Sequence, residues 1–273
     1  MKVISPFVGR TVLNSKSIVR CISGRSLVSL TSSFSGVNHV SISSPKLQKL
    51  RKVKTSSSFR RLSNLRDAFS VANQDRLAQQ LGLMKPRRSL LAACTEEAAV
   101  FVPFCLVNSV PSVLFTLRSS HLNSHRGEVS FPGGKRDPED KSLVETAIRE
   151  MDEELGVERR QVHVWASMPP VPDRHGKAAI TAVVGFIEEI DTKALQLNPK
   201  EVESVFTLSL EHLCNPVNVG YTTFKRQPLT RLPVFVNGPH KIWGLTATIL
   251  EQVLLVLIPQ NYRKQLFRFG NKK

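Results

Sequence analysis

The first 66 residues contain no Asp or Glu at all. They hold 13 of the 38 Lys and Arg together with 16 serines, so residues 67–273 keep 25 basic against 22 acidic side chains, a net of only +3. The formal charge of +16 is therefore a property of the N-terminus, and a body built to bind nucleic acid through a basic face is excluded. Long apolar runs are also missing. A membrane span needs roughly 18 continuous apolar residues, and the nearest approach, Ile249 to Ile258, is broken by Glu251 and Gln252. No span is expected. Cysteine is scarce too: Cys21, Cys94, Cys105 and Cys214 lie far apart without a C-x-x-C pair, which argues against zinc and against a disulfide framework.

The N-terminal segment, rich in Arg and Ser and free of acids, has the composition of an organelle transit peptide. Every apolar run in it is interrupted, as in Ser26-Leu27-Val28-Ser29-Leu30-Thr31, so it lacks the apolar core of a secretory signal. We read residues 1–66 as a disordered basic segment and mitochondrial presequence, with the matrix as destination. Residues 67–92 read as a helical connector, with Leu77 and Leu81 on one face, Gly82 as the C-terminal cap and Pro86 beyond it. Residues 93–262 form the folded domain, and 263–273 a basic tail.

Within the domain, Ala98 to Val107, Ser112 to Leu117, Val162 to Met168, Ala179 to Ile187 and Leu232 to Val236 read as strands, with a turn at Asn108 to Pro111. Gly244 to Leu257 reads as a buried helix. Strands interleaved with helices over about 170 residues predict an α/β domain whose sheet is covered by helices.

The informative stretch runs from Phe131 to Val157. Gly133 and Gly134 predict a tight loop with uncovered amides, suited to an anion. Ser142-x-x-Glu145 is a capping box that starts a helix at Leu143, and Gly156 ends it. At about 100° per residue, Leu143, Val144, Ala147, Ile148, Met151 and Leu155 share an apolar face; Glu154 lies about 60° from its centre, Glu150 about 100° and Glu153 about 160°. Glu150 and Glu154 thus flank the core, where like charges four residues apart repel unless a cation lies between them. Carboxylates crowded this way suit a hard divalent ion such as Mg²⁺ or Mn²⁺, while a solvated acidic face describes Asp152 and Glu153 well.

Gly134, Arg149-Glu150, Glu153-Glu154 and Gly156-Val157 resemble the Nudix box of metal-dependent hydrolases acting on nucleoside diphosphates linked to another moiety. The box departs from the pattern at Asp140, which stands six residues after Gly134 where the family has Glu at that spacing, and nine before Arg149. Upstream, Leu114 to Gly134, including Thr116, Arg118, Ser119, His125, Gly127 and Glu128, is similar to the extra motif of the Nudix branch that cleaves coenzyme A, particularly its mitochondrial members. Asn198-Pro199-x-Glu201 and Ile242 to Ala247 are also similar to that branch, and the C-terminal Gly270-Asn271-Lys272-Lys273 is no peroxisomal address.

The resemblance implies a Nudix fold, a mixed β-sheet sandwiched between helices. It further implies metal-dependent hydrolysis of coenzyme A or acyl-CoA to 4′-phosphopantetheine, or its acyl form, and 3′,5′-ADP. Metal ligands would be Glu150 and Glu154 first and Glu153 third; Arg149 would orient a carboxylate, and Glu128 would approach the metal or act as general base. Substrate would meet Gly133, Gly134, Arg118, His125 and Arg126. The alternatives are another Nudix substrate, such as ADP-ribose, a dinucleotide or a nucleoside triphosphate, or a Nudix-shaped mitochondrial protein without catalysis. Monomer and homodimer are both open.

Overall fold

The computed structural model describes Leu65 and residues 67–120, 127–224 and 230–262. The basic segment up to residue 64, His125, Arg126 and the tail 263–273 lie outside the described residues.

The elements are, in chain order, α1 (Val71–Leu83), α2 (Arg88–Leu91), β1 (Glu96–Val107), β2 (Val110–Arg118), β3 (Val129–Ser130), β4 (Gly133–Lys135), α3 (Leu143–Leu155), β5 (His163–Ser167), β6 (Val171–Pro172), β7 (Ala178–Glu189), β8 (Val202–Ser209), α4 (Leu210–Cys214), β9 (Val219–Phe224), β10 (Thr230–Phe235) and α5 (Gly244–Leu257). The main sheet has the path β3-β2-β1-β7-β5, with β4 on β1, β6 on β7 and β8 on β2. Parallel β1 and β7 form its centre and the other pairings are antiparallel, so the sheet is mixed as expected.

The central strands read as nearly continuous apolar runs because both of their faces are covered. Phe101, Leu114 and Val183 point to one side, against Ala147, Met151 and Leu155 of α3. Val102, Phe104, Phe115 and Val184 point to the other, against Leu77 and Leu81 of α1 and Leu250, Val253, Leu254 and Leu257 of α5. This is the expected helix/sheet/helix sandwich. Its larger side is closed by aromatic contacts among Phe69, Phe104, Trp165 and Phe186, with ring centroids 5.4–6.2 Å apart.

Three details go beyond or differ from the sequence reading. Residues 67–92 do more than connect: Leu77 and Leu81 are fully buried, and Arg76 donates from Nη2 to the Leu257 carbonyl (2.6 Å) and from Nε to that of Val256 (3.3 Å), satisfying the end of α5. Gly82 is not a cap either, since α1 runs through it to Leu83 and ends on Met84 in extended conformation. The turn between β1 and β2 is tighter than expected, with left-handed Asn108 and Ser109 (φ 49° and 61°) and Val110 already in the strand.

Beyond the sheet, hairpin β9–β10 leans on α5, where Tyr221 Oη donates to Glu251 Oε1 (2.5 Å). The first turn of α5 is tied to β3 by Thr246 Oγ1, which donates to the Val129 carbonyl (3.0 Å). Among the described residues no helix is long and apolar enough to cross a membrane. Among the described residues Cys94, Cys105 and Cys214 form no disulfide, and burial pushes the Cys105 thiol up to about 12.

Candidate active site

Helix α3 starts where the capping box places it. Ser142 Oγ accepts from the Glu145 amide (3.3 Å), although Glu145 reaches back to the amide of Lys141 (3.1 Å) rather than to that of Ser142. Left-handed Gly156 (φ 68°) closes the helix. The helical periodicity then sets three different environments: Glu150 is 7% exposed, Glu154 2%, and Glu153 faces solvent.

The double glycine lies directly beneath these acids, because β4 pairs with the first half of β1, opposing Ala99 to Gly134 and Val100 to Gly133. A Cβ on Gly134 would stand 2.7 Å from the carboxyl carbon of Glu150, and one on Gly133 would stand 2.6 Å from the Cα of Val100. Backbone stands in the way at Gly133, where only glycine fits, while at Gly134 a side chain would have to displace the Glu150 carboxylate.

Arg149 gathers the remaining acids. It meets Asp140 with two prongs, Nε to Oδ1 and Nη2 to Oδ2, both at 3.1 Å. It also donates from Nη1 to Glu153 Oε2 (2.8 Å) and Glu150 Oε1 (3.2 Å), and from Nη2 to the Lys135 carbonyl (3.0 Å). The shorter Asp140 therefore does bind the arginine, its extra spacing absorbed in the loop before Ser142. This contact, reinforced by the Asp137 amide, lowers the Asp140 carboxyl to about 2.

The buried pair behaves oppositely. Burial pushes Glu150 up to about 6, against the pull of Arg149 and with the repulsion of Glu153 and Glu201. Burial and the charge of Glu150 raise Glu154 to about 8, opposed by Arg118. Glu154 Oε2 is buried and has no hydrogen-bond partner, which is costly for an anion. One carboxylate oxygen each from Glu150, Glu154 and Glu201 lie within 4.8 Å of one another. An oxygen-only set of this kind fits a hard divalent cation.

Glu201 is the residue that sequence reasoning left without a role, although Asn198-Pro199-x-Glu201 had stood out in the resemblance. Glu153, expected as third ligand, is paired with Arg149. Arg118 ends β2 beside this cluster, its amide donating to the Glu128 carbonyl (3.1 Å) and its charge reaching Glu154, while the Ser119 amide donates to the Glu201 carbonyl (2.9 Å). Glu128 is half-buried immediately before β3.

A NUDIX domain signature matches residues 97–230. Among curated proteins, the chain is 47% identical over 206 residues to the mouse mitochondrial coenzyme A diphosphatase NUDT8, covering 74% of this chain and 96% of that protein. The human protein of the same name is 47% identical over 189 residues, covering 66% and 80%. Nudix hydrolase 3 of Caenorhabditis elegans is 36% identical over 185 residues, covering 62% and 76%. With the box helix, its braced arginine and its buried acids in place, the chain belongs to the Nudix family of hydrolases.

Proposed function

We propose that this protein hydrolyses the diphosphate of coenzyme A and acyl-CoA in mitochondria, releasing 4′-phosphopantetheine or its acyl form and 3′,5′-ADP. The carrying observation is spatial: the segment that resembles the coenzyme A motif folds along β2, β3 and β4 onto the carboxylate cluster. Arg118 and Ser119 adjoin Glu128 and Glu201, and Gly134 lies beneath Glu150. The proteins sharing 47% identity with it carry that activity in their names.

Glu150 and Glu154 would hold Mg²⁺ or Mn²⁺, with Arg149 fixing the Glu150 carboxylate. A bound ion neutralises the diphosphate and favours attack by water. Arg118, whose buried Nε has no partner, would meet a phosphate oxygen, the role that the resemblance gives it together with His125 and Arg126. Glu128 accepts a proton from the attacking water as its oxygen bonds to one phosphorus and the bridging P–O bond breaks. The substrate needs no nucleic-acid surface and no membrane span.

The test is to give purified protein, with Mg²⁺ or Mn²⁺, free coenzyme A, acyl-CoA, ADP-ribose, a dinucleotide and a nucleoside triphosphate side by side, identifying products by mass spectrometry. Coenzyme A species should yield 3′,5′-ADP fastest. A clear preference for ADP-ribose would reject the assignment.

A further inference from the structure

We infer that Trp243 and Lys241 receive the adenosine end of the substrate, the adenine stacking on the indole and the ammonium pairing with the 3′-phosphate. The inference deepens the coenzyme A reading above and rests on it.

The chain enters α5 through a short extended segment. Ile242 is fully buried and bridges to Phe235 with both of its backbone groups, its carbonyl accepting from the Phe235 amide (2.9 Å) and its amide donating to the Phe235 carbonyl (3.0 Å). Side chains alternate along an extended chain, so Lys241 and Trp243 turn together to solvent. The Lys241 ammonium lies over the indole, 5.6 Å from the ring centroid. Trp243 is the extended N-cap residue of α5, and three residues on Thr246 Oγ1 holds the Val129 carbonyl (3.0 Å). One residue before Val129, the Glu128 carbonyl accepts from the Arg118 amide (3.1 Å). The pair is therefore tied to the strand ends that carry Arg118 and Glu128, the residues given above to phosphate and to the attacking water.

Packing does not account for this ring. Trp243 is 41% exposed, the one exposed Trp, Phe or Tyr among the described residues, whereas Trp165 is enclosed by Phe69, Phe104 and Phe186. Among the described residues the indole N–H has no hydrogen-bond partner and Lys241 has no carboxylate. An open aromatic face beside an unpaired cation suits a nucleotide, the face offering stacking to a base and the ammonium a point charge to phosphate. Stacking of a base outweighs the contact of an exposed ammonium with a ring, so a base displaces Lys241 from the indole and leaves the ammonium beside the ribose. The 3′-phosphate of coenzyme A stands there, next to the adenine and away from the bridging P–O bond. ADP-ribose carries no group at that place, so Lys241 separates the two substrates.

The test is binding of the nucleotide product, which the enzyme does not consume. Full-length wild type, Trp243→Leu, Trp243→Phe and Lys241→Ala are titrated with 3′,5′-ADP and with 5′-AMP in the presence of Mg²⁺, by calorimetry and by tryptophan emission. Trp165 is the only other tryptophan and serves as the internal reference. Both nucleotides should quench wild-type emission, and the quenching should vanish in Trp243→Phe, which keeps Trp165 alone. Trp243→Leu fills the space without a flat ring and should weaken 3′,5′-ADP binding about tenfold or more, the loss expected for one stacked base. Trp243→Phe should stay within a few-fold of wild type. With coenzyme A, Trp243→Leu should raise KM by the same factor and leave kcat nearly unchanged, as for binding shared by ground and transition states. Lys241→Ala should weaken 3′,5′-ADP several-fold and leave 5′-AMP as it is. Unquenched wild type, or wild-type affinity in Trp243→Leu, overturns the stacking; equal effects on the two nucleotides in Lys241→Ala overturn the phosphate contact. Failure of the substrate reading is separate: wild type would then leave coenzyme A intact, whether or not 3′,5′-ADP quenches Trp243.

Discussion

Asp140 grips Arg149 with both carboxylate oxygens, and through it holds the loop after β4 against the helix that carries Glu150. Asp140→Asn removes the charge from a buried two-pronged pair, a change that costs about 1–3 kcal/mol. It should cut turnover about 10- to 100-fold, the range seen when a partner orienting a metal ligand is lost. The sign of the pH effect is fixed. Asp140 is lowered in the folded state to about 2, so its stabilisation is present above the ordinary carboxylate value and fades as pH falls toward 2. Melting of wild type and variant should differ at pH 7 and converge in strong acid. A gap that persists unchanged to pH 2 would contradict the ion pair.

Glu150 and Glu154 carry the reverse linkage. Their folded values are raised to about 6 and about 8, so the metal-free native state binds more protons than the unfolded chain between about pH 4.5 and 8, and stability falls as pH rises through that window. Metal-free protein should melt higher at pH 5.5 than at pH 8. Adding Mg²⁺ or Mn²⁺ should reverse the trend, because binding needs the deprotonated carboxylates and releases their protons. Calorimetry in buffers of different ionisation enthalpy would show that release; metal uptake without protons at pH 7 would refute the raised values.

Glu154→Gln and Glu150→Gln keep the shape of the side chain and remove its charge. Each should lower turnover by at least about 100-fold, since a lost ligand charge costs several kcal/mol of transition-state stabilisation. In metal-free buffer each variant should melt no lower than wild type, because the amide relieves repulsion between buried carboxylates. Wild-type turnover by either variant would remove that residue from the site.

The same helix shows how far the sequence could be read. Its start, its end and the unequal burial of Glu150, Glu153 and Glu154 follow from Ser142, Gly156 and a 3.6-residue period, all local signals. The covered central strands were legible as apolar runs. By contrast, β8 buries Val202, Phe206 and Leu208, but polar Ser204 stands between them on the same face and apolar Val205 on the other, so its alternation is too weak to stand out, and β3, β4 and β6 are two or three residues long, formed by partners distant in the chain. The position of Glu201 depends on a cap between residues 198 and 154, which no spacing rule encodes.

Gly134 offers a test that leaves every charged group in place. Its Cα lies directly under the Glu150 carboxylate, and an added methyl carbon would stand 2.7 Å from the carboxyl carbon. Gly134→Ala should therefore displace Glu150 and weaken Mn²⁺ binding and turnover together, by about tenfold or more, the loss expected when a ligand is misplaced by an ångström. Circular dichroism should be unchanged. Unaltered metal affinity would mean that Glu150 swings freely enough to make the close approach irrelevant.

Arg76 decides whether residues 67–92 belong to the domain. Its guanidinium takes the Val256 and Leu257 carbonyls at the end of α5, whose first turn holds Val129 through Thr246. Arg76→Ala leaves those carbonyls to water and removes charge-assisted bonds worth about 1.5–3 kcal/mol, which for a domain of this size lowers the melting temperature by roughly 3–12 °C. Metal affinity should stay at the wild-type level, since none of the carboxylates of the cluster lies on α1 or α5. A melting temperature equal to that of wild type would restore the segment to a connector. A loss of metal affinity without loss of stability would instead place α5 in control of the site.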